Sequence, residues 1–202
     1  MIGRVLGLLL LTFTPFTQGA EAPDKLIGLL NGIDMLTARY EQESQGNVQK
    51  GQFWLSRPDQ FRLAASAPIS QTIISDGDSL WTHDLDLEQV IVTELRETAS
   101  DIPLLLFAGQ PEKLRDTYAV EWFADEALQH FVLTPVDQSG AIGSIAVSFA
   151  GALPQRLVFQ TAMQQRTVVN FYEVSAAPID AEMFTFQLPE GVDVIDDRAG
   201  AR

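Results

Sequence analysis

Cysteine is absent from the sequence, which excludes disulfides, thiolate metal sites and catalytic thiols together. Lipid attachment to this chain is excluded as well, because it needs a cysteine just after a signal peptide. Histidine is scarce: His83 and His130 are too few and too far apart to suggest zinc. Neither a G-x-S-x-G elbow nor a phosphate-binding glycine loop occurs, so no enzyme activity, metal or cofactor is expected. Basic residues are also few, 13 against 27 acidic, for a net charge of -14. Nucleic acid is bound through clustered Lys and Arg, and here those residues lie singly among carboxylates, so that partner is excluded. The same charge opposes adsorption to anionic membranes.

Long apolar runs are missing too, since none reaches the roughly 20 residues of a spanning helix. The apolar stretch at 5–11 follows Arg4 and precedes the small residues Thr17, Gly19, Ala20 and Ala22, the layout of a secretory signal peptide. Residues 1–20 are read as that signal, with its end between 19 and 22, and 21–202 as one exported domain. Roughly 180 residues suffice to bury a core without covalent staples.

The apolar residues Leu26, Ile27, Leu29, Leu30, Ile33 and Leu36 recur at three- and four-residue spacing, which predicts a helix over 23–38. From Tyr40 the period moves towards two. Over 51–57, Phe53, Leu55 and Arg57 share one face, with Gln52, Trp54 and Ser56 on the other. Further strands are expected near 61–64, 71–75, 79–83, 89–94, 119–122, 129–134, 144–149, 155–160 and 167–173. Turn residues such as Asp76-Gly77 and Ser139-Gly140 separate them, which argues a meandering antiparallel sheet. Asp84, Asp86 and Glu88 alternate as calcium ligands might, but the loop glycine is missing at Gln89, and a solvated strand face is expected instead.

The segment 101–108 interrupts this pattern with a helix. Ser100 or Asp101 can cap it, Pro103 sits in its first turn, and Gly109 lies beyond its end. Ile102, Leu105 and Leu106 form one face, and Leu104 and Phe107 make the helix apolar nearly all round, so it needs partners on both sides. A second short helix is expected from Gln110 and Pro111 to Arg115.

Four pieces, in order, resemble the LolA family of outer-membrane lipoprotein carriers. They are the strand GQFWLSRPDQF at 51–61, the Asp76-Gly77, Leu80-Trp81 and DLDLEQV hairpin, the helix at 101–108, and FTFQLPEGVDVID at 184–196. The resemblance spans about 25–197 and implies an incomplete antiparallel β-barrel of about eleven strands, closed by short helices over an apolar cavity. It further implies a periplasmic monomer that carries acylated lipoproteins from the ABC transporter LolCDE to the outer-membrane receptor LolB. The alternative is a divergent carrier of another lipid, which mass spectrometry of co-purified material would distinguish.

On this resemblance Phe53, Leu55 and Phe61 line the cavity, and Ile102, Leu105 and Leu106 are lid residues that meet cargo. Arg57 is the residue of most interest, because a guanidinium beyond two apolar neighbours on one strand face needs polar partners. The family implies that these are backbone carbonyls of the lid helices, bonded when the lid is shut and lost when acyl chains open it.

Overall fold

The computed structural model describes residues 21–95 and 103–198. The expected signal peptide, Ile102 and the cap candidates Ser100 and Asp101 lie outside them, as does the side chain of Leu105. A helix, α1 (Ala22–Asn31), precedes six strands: β1 (Met35–Ser44), β2 (Asn47–Ser56), β3 (Gln60–Ala65), β4 (Gln71–Asp76), β5 (Ser79–Asp84) and β6 (Gln89–Glu94). The lid segment then holds 3-10 turns at Pro103–Leu106 and Pro111–Lys113 and a one-turn helix, α2 (Leu114–Thr117). Next come β7 (Tyr118–Ala124), β8 (Gln129–Pro135), β9 (Ile142–Ala150), β10 (Leu153–Thr161) and β11 (Arg166–Ser175). A 3-10 turn at Ala181–Phe184 and β12 (Asp193–Asp196) complete the order. Among the described residues no helix is long and apolar enough to cross a membrane.

All twelve strands join one open sheet in the order β12-β6-β5-β4-β3-β2-β1-β11-β10-β9-β8-β7. Pairing is antiparallel throughout, except where β12 runs parallel to β6. The register sets Leu36 opposite Leu55 and Ala38 opposite Phe53, and continues to Leu63 and Phe61 on β3. Because cross-strand partners share a face, these residues make the concave floor. The other half of that floor comes from Phe171, Val169, Leu157, Val147, Phe149 and Phe131, all buried. Gly51 faces Tyr40 across the β1–β2 ladder, and a Cβ there would come within 2.6 Å of the Tyr40 ring. The same Cβ would clash with the Ala64 carbonyl oxygen on β3, so only glycine fits between that backbone and the buried ring.

Three expectations need correction. Helix α1 stops at Asn31 rather than running to Ala38, since the chain turns at Gly32 and Asp34 and Leu36 enters β1. The described part of the 101–108 helix is a single 3-10 turn, so its register of faces is shorter than a helical reading implies. Asp86 and Glu88 stand in a turn and not on a strand face, and Asp84, which ends β5, turns to that loop: its carboxylate accepts from the N–H groups of Asp86 and Leu87, both at 3.0 Å.

The convex face has a cover of its own. Residues 176–192 lead from β11 across β1, β3 and β4 to β12, and Phe186 stacks on Trp81 with ring centroids 5.0 Å apart and meets His83 edge-on. Arg62 donates to the Met183 carbonyl at 3.4 Å. Ile74, Val90 and Val92, whose side chains point away from the concave floor, are therefore buried. Trp81 and Phe186 of the C-terminal FTF run, far apart in sequence, meet here.

Candidate functional site

Phe53 and Leu55 are buried on the concave floor, and Phe61 lies beside them on β3, opposite Leu55. Arg57 follows directly after β2 and is half-buried at the rim. Its backbone N–H donates to the Asp34 carbonyl at 2.9 Å, tying the strand end to the chain leaving α1. The guanidinium Nε donates to the Phe107 carbonyl at 3.0 Å, while Nη2 is buried with no hydrogen-bond partner. Burial pushes the Arg57 pKa below its ordinary value, opposed by the charges of Glu112, Asp34 and Asp59. Among the described residues the cation is held by one carbonyl of the lid segment, where several were expected.

That carbonyl belongs to the residue whose side chain fills the floor. Phe107 is fully buried and meets Phe171 and Phe149 edge-on, with centroids at 5.8 and 6.4 Å. Phe149 meets Phe131 the same way at 6.0 Å. Leu26, Leu30 and Ile33 join the same cluster from α1 and the turn after it, and Leu104 and Leu106 pack against it half-buried. The concave face is thus filled by groups of the lid and α1, which a ligand would have to displace. Each edge-to-face pair contributes about 0.5–1.5 kcal/mol beyond area burial.

Polar pairs bind α1 to the lid segment. Asn31 donates to the Glu112 carboxylate at 2.9 Å, and this bond holds the Glu112 carboxyl below its ordinary value, with Arg57 and Arg115 adding to it. Arg115 pairs with Asp24 near the other end of α1. Lys25 places its ammonium 3.5 Å from the ring centroid of Trp122 on β7, and the Trp122 indole N–H is buried without an acceptor. These contacts make α1 and 111–117 one cover, which Lys25 ties to β7, while Arg57 holds the carbonyls of Asp34 after α1 and of Phe107 ahead of 111–117.

Of the residues chosen from sequence, Arg57, Phe53, Leu55, Phe61 and Leu106 come together around this cover. Phe107 was read as making the lid helix apolar but not as the group that fills the floor. Glu112, Asn31 and Lys25 were missed, because polar pairs between segments eighty or more positions apart leave no periodic trace.

Residues 31–187 match the family model described as outer membrane lipoprotein carrier protein LolA. Proteins named outer-membrane lipoprotein carrier protein resemble the chain along nearly its whole length. The one from Chromohalobacter salexigens is 35% identical over 96% of this chain and 94% of its own. That of Pseudomonas aeruginosa PAO1 is 34% identical over 88% and 89%. Among solved structures, an uncharacterized conserved protein from Thermus thermophilus covers 86% of this chain and 98% of its own with TM-score 0.60 at 8% identity. MucB covers 88% of this chain and 66% of its own with TM-score 0.56 at 16% identity. At such identities these two carry the fold alone.

Proposed function

The chain belongs to the LolA family of outer membrane lipoprotein carriers, and from that membership we propose how its lid governs cargo. It is a carrier chaperone that takes up the acyl chains of lipoproteins. It works in the periplasm as a monomer, receiving them from the inner-membrane transporter LolCDE and passing them to the receptor LolB.

Moving one methylene out of water contributes about 0.8 kcal/mol, so an acyl chain of about fifteen gains roughly 12 kcal/mol. A floor that recovered all of this would not release its cargo. Here the empty state competes, because the floor is already filled by Phe107, Leu26, Leu30 and Ile33. Acyl chains enter by displacing Phe107, and the same displacement removes the acceptor of Arg57. A hydrogen bond from a charged donor contributes about 1.5–3 kcal/mol, which adds to the ring contacts regained when the lid shuts. The closed state is thereby strong enough to favour hand-over and weak enough to be opened.

The observation that carries this reading is the double role of Phe107, whose carbonyl takes the Arg57 bond while its ring fills the floor. The test is binding of an environment-sensitive fatty-acid probe to the purified protein. Micromolar affinity with displacement by an acylated peptide is expected, and binding no tighter than to an unrelated acidic protein would contradict the carrier reading.

A further inference from the structure

Strand β7 is one free edge of the sheet, and its residue Trp122 stands opposite Phe131 on β8. Cross-strand partners share a face, so the indole belongs to the concave floor, where it packs half-buried against the core cluster. Its Nε1 is buried and, like Arg57 Nη2, has no hydrogen-bond partner. Arg57 still makes one bond through Nε, whereas the only polar side-chain atom of Trp122 makes none among the described residues. An indole nitrogen can only donate, and a buried donor left unpaired is a cost that folded proteins ordinarily avoid.

The surroundings restrict what could answer that donor. Lys25 of α1 holds its ammonium 3.5 Å from the ring centroid, which pins the ring plane. The same charge favours an electron-rich oxygen nearby and repels a cation. Trp122 lies just before the β7–β8 connection at 125–128, at the rim of the sheet that also carries Arg57. Towards the other rim the next concave positions are Val120, Leu133 and Ile145, all apolar and buried. A ligand that ends at Trp122 must therefore bring an acceptor on an otherwise apolar body.

The path to the indole runs through the floor. Phe131 meets Phe149 edge-on, and Phe149 meets Phe107 in the same way. The place that Phe107 leaves when the lid opens is thus joined to Trp122 by two aromatic rings of the floor.

We propose that the Trp122 indole N–H donates to the acyl carbonyl, ester or amide, at the head of a chain seated on this floor. The inference rests on the carrier reading and names the anchor that distinguishes an acyl chain from a plain alkyl chain. An ester carbonyl relieves the unpaired donor, while an ether of the same length leaves it buried without an acceptor. Sites that hold such a donor discriminate against ligands that lack the matching group.

The test compares monopalmitoylglycerol with its ether counterpart, hexadecylglycerol, as competitors of the environment-sensitive fatty-acid probe on the full carrier. The ester binds the wild-type protein about tenfold tighter than the ether, the fold-change of roughly one hydrogen bond to a donor otherwise left unpaired. Trp122→Phe, which keeps a ring and removes the N–H, brings the ratio of the two affinities close to one. Trp54→Phe, on the convex face, keeps the wild-type ratio. In nitrogen–proton correlation spectra of the wild-type protein, the Trp122 indole resonance, assigned through its Overhauser contacts to the Lys25 side chain, moves downfield with the ester and not with the ether. That reading is made on the wild-type protein, so the test stands even where the variant does not fold.

An ester preference that survives in folded Trp122→Phe overturns the proposal. So does an indole resonance that moves alike with both ligands, which makes Trp122 a wall of the floor and nothing more. Failure of both ligands and of the probe to bind removes the carrier reading, and this inference with it, whereas equal binding of ester and ether removes the Trp122 anchor alone.

Discussion

Replacing Phe107 by Ala separates a residue that is merely core from one that fills a ligand's place. The ring is fully buried and meets Phe149 and Phe171 edge-on. Truncating a buried Phe to Ala costs about 3–5 kcal/mol. If Phe107 leaves the floor whenever cargo enters, this cost falls on the closed empty state and spares the loaded one. At tenfold per 1.4 kcal/mol, the closed lid then loses about a hundredfold or more of its advantage. The fatty-acid probe should bind tighter by up to that factor, the gain stopping once the open state predominates. Transfer of preloaded lipoprotein should slow, because emptying the floor no longer restores the ring contacts. The assay pairs probe titration with urea unfolding of the ligand-free protein. Loss of about the full 3–5 kcal/mol in unfolding together with unchanged probe affinity would refute the reasoning and leave Phe107 as ordinary core.

Other outcomes follow from the sheet and its cover. Gly51→Ala sets a methyl against the Ala64 carbonyl oxygen as well as the Tyr40 ring and should lower stability by about 1–3 kcal/mol in urea unfolding, a loss that Tyr40→Leu leaves largely in place because the backbone carbonyl cannot move aside. Burial pushes the Tyr40 hydroxyl up to about 12 from an ordinary 10.0. The folded state holds that proton more tightly, so this stabilisation is complete below the unfolded value and is lost as pH rises through the folded one. Tyrosinate absorbance should therefore show a late alkaline step that Tyr40→Phe removes. Phe186→Ala deletes the ring stacked on Trp81; it should speed amide exchange in β12 and redden Trp81 emission while leaving probe affinity unchanged.

The parts of this fold legible in sequence are those where side chains alternate against a single partner surface. Phe53, Leu55 and Arg57 announced both a strand and its inner face, because the period of two leaves a guanidinium in an apolar row. The overrun of α1 came from Leu36, which continues the helical spacing from Ile33 although the turn at Gly32 has already ended the helix. Strand β12 was hidden because Asp193–Asp196 is short and exposed along its whole length, so its pairing with β6 leaves no alternation to read. Ile74, Val90 and Val92 show why both faces of β4 and β6 are apolar, since residues 176–192 make a second small core there.

The site was half legible for a related reason. That Arg57 needs carbonyl partners follows from burial cost, but that its partner is Phe107 depends on where the chain after β6 comes to rest. A backbone acceptor has no signature in residue type. The clasp of Asn31 with Glu112 and of Asp24 with Arg115 is equally silent, because each pair reads as ordinary surface charge until the fold brings the segments together.

The central claim is that the Arg57 bond to the lid helps the empty state reclaim the floor, and transfer from a preloaded carrier tests it most directly. Arg57→Leu removes the donor to Phe107 and adds apolar surface beside the rim, so the open, loaded state costs less. The variant should fold, load labelled lipoprotein as well as the wild type or better, and pass it to LolB at least tenfold more slowly, as expected for about 1.5–3 kcal/mol of lost closing energy. Arg57→Lys should recover transfer only in part, because a lysine carries a methylene at the place from which the Arg57 Nε donates to the Phe107 carbonyl. Transfer by Arg57→Leu at the wild-type rate would contradict the account.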